Sequence, residues 1–190
     1  MRIGIDIDDT VALTHDMLIE AAIKFDKEFV EGRGFRNKNA HKFNEMFYWR
    51  TENVKAFFDY IGKQKLFLNN IEPRENAVEI INKLYEEKHK IIFITRRNSK
   101  GCSRGCTKKW LKKEGFKFHK VIMDCEEKGE MCKKKKIDLF IDDSSVHIYE
   151  AIAENIDALL IDTPRNKSEK KLKRVKGWPE IYKYINEKVD

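Results

Sequence analysis

Short apolar runs recur along the chain, and most of them close on an aspartate or threonine. "IGID" at 3–6, "KIIFIT" at 90–95, "KVIMD" at 120–124, "DLFID" at 138–142 and "DALLID" at 157–162 read as buried strands. Helical spacing fills the intervals. "RENAVEIINKLYEEK" puts Ala77, Ile80, Ile81 and Leu84 on one face. "TKKWLKKEGF" predicts a helix capped by Thr107, with Trp110 and Leu111 inward and Gly115 as its stop. "SSVHIYEAIAEN" predicts another, opened by serine caps and burying Ile148, Ala151 and Ile152. Pro179 suits the first turn of a last helix over "WPEIYKYINEKV".

Strands alternating with helices imply an α/β fold, a parallel sheet flanked by helices on both faces, with ligands beyond the carboxyl ends of the strands. Asp6, Thr95, Asp142 and Asp143 fall at such ends. Residues 14–73 break the alternation and are too many for a simple connection. The expected organisation is a core of 1–13 and 74–190, with a small helical cap over 14–73 inserted after the first strand. The cap is rich in aromatics: Phe43, Phe47, Tyr48, Trp49, Phe57, Phe58, Tyr60 and Phe67. Val54, Phe57, Phe58 and Ile61 have the spacing of a core stripe. Four large side chains in "MFYWR" cannot all face one core, so Phe47, Tyr48 or Trp49 is expected to line a substrate pocket by stacking on a base.

The 190 residues suit one domain with an insertion, and 41% hydrophobic with 37% charged residues is a globular balance. No apolar run approaches the length of a membrane span, and Arg2 leads straight into a strand, unlike a signal peptide; a cytoplasmic location is expected. A net charge of +7 raises the possibility of a basic nucleic-acid-associated protein without catalysis. Basic residues interspersed with acidic ones favour a surface that attracts small anions. Cysteines 102, 106, 125 and 132 lack the paired spacing of a structural zinc site, and histidines 15, 41, 89, 119 and 147 show no paired spacing either.

The chemistry concentrates in "DIDDT". Asp6 and Asp8 lie two apart on extended chain, so both reach one point at the strand tip. Asp142 and Asp143 end a second strand. Carboxylates gathered this way raise one another's pKa unless a cation joins them, and an all-oxygen set suits Mg²⁺ with a phosphate ligand. Asp9 is expected to fix the turn.

These residues resemble the haloacid dehalogenase-like phosphohydrolases. "DIDDT" fits their Asp-x-Asp-x-Thr signature, "FITRR" supplies Thr95, Lys128 stands upstream of the last acids, and "DLFIDDS" gives the terminal acidic motif. The short cap, "EKGEMCKKKKIDLFIDDS" and "RVKGWPEIYKYI" are most similar to the 5'(3')-deoxyribonucleotidase-type group and its bacterial nucleotidases. That resemblance implies a Mg²⁺-dependent phosphomonoesterase with Asp6 as nucleophile and Asp8 as general acid and base. Thr95, Lys128 and Arg96 would contact phosphate, with Lys133 and Lys134 as competitors for the lysine, and Arg97 follows Arg96 into a loop from which both could touch substrate. Metal would be held by Asp6, Asp8 through its carbonyl, and Asp143, supported by Asp142. The implied substrate is a (deoxy)nucleoside monophosphate, with another small phosphate ester as the alternative.

Overall fold

In a computed structural model, described for residues 1–38, 40, 42–66, 70–97 and 102–189, six strands form one parallel sheet in the order β3-β2-β1-β4-β5-β6. The strands are β1 (Arg2–Ile5), β2 (Lys90–Ile94), β3 (Lys120–Ile122), β4 (Leu139–Asp142), β5 (Asp157–Ile161) and β6 (Arg174–Val175). The five predicted strands are present. Alternate residues of the central strands feed two cores. On one face Ile3, Ile5, Phe93 and Ile141 pack with Ile80, Ile81 and Leu84 of α4 (Ala77–Glu86) and with Trp178, Ile181 and Ile185 of α8 (Trp178–Val189). On the other face Ile92, Ile94, Phe140 and Leu160 pack with Cys132 of α6 (Lys128–Lys134) and with Ile148 and Ala151 of α7 (Ser145–Ala153). Gly4 lets these layers close up, since a Cβ there would lie 3.1 Å from Phe140 and 3.2 Å from Ile137.

Strand β1 occupies the switch point of the sheet: β2 and β3 build to one side of it, and β4, β5 and β6 to the other. Its register with β4, Ile5 opposite Ile141, continues as Asp6 N donating to Ile141 O at 2.9 Å. The acids that end the two strands are thereby neighbours. Strand β2 pairs on the opposite edge with Ile5 opposite Phe93, which brings Thr95 to the same end.

Between β1 and α4 the described helices are α1 (Thr14–Phe25) running into one π-turn (Asp26–Val30), then α2 (Phe43–Met46) and α3 (Thr51–Lys63). These elements form a third buried cluster of Ala22, Phe25, Met46, Phe47, Trp49, Phe57 and Ile61, apart from both sheet cores. Among the described residues no helix is long and apolar enough to cross a membrane.

Four local expectations are corrected. Helix α5 (Cys102–Lys113) starts before Thr107, which is buried within it and accepts from Arg97 Nη1 at 3.4 Å instead of capping. The cap of α7 is made by Asp142, whose Oδ1 accepts Ser144 N at 2.8 Å, while the serine hydroxyl makes no cap bond. Ile152 is 46% exposed and Phe58 45% exposed, because each lies a residue further around the helix from a buried neighbour, Ala151 and Phe57. Gly115 ends α5 as expected, in the left-handed region at φ +82°. His41 and Phe67 fall outside the described residues, as does the side chain of Cys102; Cys106, Cys125 and Cys132 are buried.

Candidate active site

Asp6 leaves β1 and is 4% exposed; Asp142 ends β4 and is 1% exposed. Lys128, the first residue of α6, joins them. Its Nζ donates to Asp6 Oδ1 at 2.5 Å and to Asp142 Oδ2 at 2.7 Å, with the lysine side chain 2% exposed. Gly129 makes this placement possible. A Cβ there would lie 2.5 Å from the backbone oxygen of Glu150 in α7, so only glycine lets α6 come this close. Glu150 Oε2 also accepts Lys128 N at 3.1 Å. Lys133 instead pairs with Glu154 at the surface, and Lys134 is exposed. Thr95 lies just past β2, fully buried, its hydroxyl accepting Arg97 N at 3.1 Å.

The turn after β1 is tight. Val11 N and Ala12 N both donate to Ile7 O at 3.0 Å, and Asp9 adopts a left-handed φ of 57° with its N–H on Ala12 O at 2.8 Å. Asp9 Oδ1 accepts His15 N at 2.8 Å in the first turn of α1, where a carboxylate also complements the helix dipole. Its Oδ2 is bound by Arg165, which follows β5 and also lies 3.5 Å from Asp143 Oδ2. Asp9 therefore ties the turn to α1 and to the β5 loop, as the sequence suggested.

Of the two arginines after Thr95, Arg96 pairs with Glu126 at 2.7 Å, with both side chains largely in solvent. Arg97 turns inward and binds Asp8. The geometry does not bring Arg96 to the carboxylates. Phe47 and Trp49 are buried in the cap cluster, and Trp49 Nε1 donates to buried Asp26 at 2.5 Å. Tyr48 is 54% exposed between them.

One oxygen each from Asp6, Asp142 and Asp143 lie within 4.8 Å of one another, the group of such side chains among the described residues that could share an ion. Burial pushes the Asp6 carboxyl up to about 7; Lys128 relieves part of this, while Asp142 and Asp8 push it further up. Burial and then Asp142, Asp6 and Asp9 push Asp143 up to about 8. Asp142 lies below the usual range: burial opposes its charge, but Lys128 and His147 outweigh it. His147 Nδ1 is 3.1 Å from Asp142 Oδ2. Asp8 is lowered too, since Arg97 overcomes its burial. Lys128 is raised despite burial, because Asp6 and Asp142 flank it.

An all-oxygen set with two carboxyls raised by burial and then by mutual repulsion fits a hard divalent cation such as Mg²⁺. Asp142 already accepts from Lys128, Ser144 N and His147, whereas among the described residues the Asp143 carboxylate has the long contact to Arg165. His147, Arg165 and Gly129 are site-building residues that sequence reasoning did not assign; Arg97 was expected to touch substrate and instead binds Asp8. His147 lies five residues beyond Asp142 on α7, a spacing that could have flagged it; Arg165 gave no such signal.

A parallel sheet with two carboxylates after its central strand, a threonine, a buried lysine and a second acid pair defines a haloacid dehalogenase-like phosphohydrolase. Over residues 1–189 the chain matches, and belongs to, the family described as "5' nucleotidase, deoxy (Pyrimidine), cytosolic type C protein". It is a hydrolase of phosphoric monoesters. A Bacillus cereus protein described as a "Putative nucleotidase" is 26% identical over 188 residues, covering 95% of this chain and 96% of that one. Solved structures of similar fold include a haloacid dehalogenase-like family protein from Streptococcus pneumoniae (TM-score 0.69, 12% identity, 97% of each chain). Another is a haloacid dehalogenase-superfamily hydrolase from Geobacter sulfurreducens (TM-score 0.64, 14% identity, 96% of this chain and 98% of that one).

Proposed function

We propose that the protein hydrolyses a (deoxy)nucleoside monophosphate through an aspartyl-phosphate on Asp6. The observation that carries this reading is the convergence of Asp6, Lys128, Asp142 and Asp143 at adjoining strand ends, with Asp8 and Thr95 at the same edge of the sheet. The nucleotide class is supported by the family description and by the name of the Bacillus cereus relative. Residues 14–73, with their own buried cluster, act as the cap over the site.

Asp6 attacks phosphorus with a carboxylate oxygen, and the ester oxygen leaves in line. Lys128 favours the ionised form of Asp6 against its burial and offsets charge that builds on the phosphoryl group. Thr95 donates its hydroxyl to a phosphoryl oxygen. Asp8 gives a proton to the departing oxygen and then removes one from the water that cleaves the anhydride. Its depressed pKa keeps it in the ionised form that the second task requires. For the first, an arriving phosphate dianion raises the proton affinity of Asp8 by like-charge repulsion. Asp6, Asp143 and the Asp8 carbonyl would hold Mg²⁺, with Asp142 supporting. The ion supplies charge neutralisation for phosphate and carboxylates.

Purified protein with Mg²⁺, screened against phosphomonoesters that include nucleoside 5'- and 3'-monophosphates, should favour the nucleotides. A clear preference for sugar or glycerol phosphates would overturn the substrate class. Asp6→Asn should fold and lose turnover; substantial residual hydrolysis would sink the covalent step.

A further inference from the structure

Arg97 is a buried cation to which the chemistry above gives no task. Its side chain is 8% exposed. Nε lies 3.1 Å from Asp8 Oδ1 and 3.0 Å from Oδ2, and Nη2 donates to Oδ1 at 2.7 Å. Nη2 also reaches the Thr14 hydroxyl at 3.2 Å, and Nη1 the Thr107 hydroxyl at 3.4 Å. Its backbone N–H is held by Thr95 Oγ1. One guanidinium thus connects the turn after β1 to β2, α1 and α5.

An aspartate on a turn has two free side-chain torsions, and a single point charge would leave its carboxylate plane undefined. A planar fork touching both oxygens fixes the plane and the direction together. The contacts are uneven: Oδ1 takes two of the three and Oδ2 one, which leaves Oδ2 the oxygen less committed to the arginine. Asp8 is also the more open partner, 36% exposed against 8%.

We propose that Arg97 is the positioning residue of the acid–base carboxylate, holding Asp8 aimed at the oxygen of the leaving group. This rests on the reading of Asp8 as acid and base. Arg97 acts through Asp8 and does not serve as a phosphate clamp. Its loss therefore hurts most where the leaving group needs a proton.

The test uses Arg97→Ala and Arg97→Lys with Mg²⁺ on p-nitrophenyl phosphate, whose phenolate leaves without a proton, and on two alkyl esters, a nucleoside 5'-monophosphate and glycerol 3-phosphate. The measured quantity is kcat/KM, which covers every step through departure of the leaving group. For Arg97→Ala the alkyl esters should lose about 10²-fold and the aryl ester less than about 5-fold. Lysine should restore only part, since it brings charge without the fork. Equal losses on aryl and alkyl esters would overturn the proposal in favour of phosphate binding or general structure, as would undiminished alkyl hydrolysis. Asp8→Asn is run beside them. If it shows no difference between leaving groups, the acid–base reading itself fails; if it shows one and the Arg97 variants do not, only the positioning role falls. Should Arg97→Ala not fold, Arg97→Lys decides, its aryl hydrolysis certifying an intact site.

Discussion

Lys128 Nζ donates to Asp6 Oδ1 across 2.5 Å, with both side chains almost wholly withdrawn from water. A buried pair of this kind is a weak source of net stability, but breaking it is costly, because the partner left behind keeps its desolvation penalty. Here one ammonium serves two carboxylates, so its removal strands both.

Lys128→Met should therefore lose about 3–5 kcal/mol in urea unfolding measured with chelator present. Mg²⁺ should return part of that loss, because the cation replaces the missing positive charge. Hydrolysis should fall by roughly 10² or more. Unchanged stability would show that the ammonium is not the site's main counter-charge.

The raised carboxyls make metal-free stability depend on pH. Asp6 at about 7 and Asp143 at about 8 bind protons more tightly folded than unfolded. Their contribution is complete below the ordinary carboxylate range and is lost as pH rises through 7 to 8. Asp8 and Asp142 act in the opposite sense, but only where pH falls below that range. Thermal midpoints in chelator should thus decline between pH 5 and pH 8.5, and saturating Mg²⁺ should flatten the slope. Mg²⁺ affinity should rise over the same interval with protons released, read by calorimetry in buffers of different ionisation enthalpy.

His147→Ala should weaken Mg²⁺ binding about 10–100-fold in a calorimetric titration, since it frees one side of Asp142. Folding should survive, because Ser144 N and Lys128 still hold the carboxylate. An unchanged affinity would reduce the histidine to a packing residue of α7.

Gly129→Ala tests the close approach of α6 to α7. The added methyl meets backbone, which cannot rotate away. A loss of about 1–3 kcal/mol is expected, with a fall in activity as Lys128 is displaced from Asp6. A neutral substitution would show that the two helices separate without moving the lysine.

Much of the fold was legible because it rests on local chemistry. Buried parallel strands need continuous apolar residues, so the runs at 3–6, 90–95, 120–124, 138–142 and 157–162 announced themselves. Strand β6 did not, because two residues carry no period and Arg174 interrupts the apolar pattern. Thr107 was misplaced because a threonine before an apolar stripe resembles a cap wherever the helix begins.

By itself the sequence determined the strand ends on which Asp6, Asp8, Thr95, Asp142 and Asp143 stand, since each follows its own strand within a few residues. Tertiary structure alone decided which distant charges meet them. Lys128 was chosen over Lys133 and Lys134 because it begins a helix beside a glycine that allows close packing. Arg97 met Asp8 while its neighbour Arg96 paired with Glu126. Arg165 reached Asp9 from 156 residues away. Such pairings depend on strand order and helix packing, and those are set by the whole core.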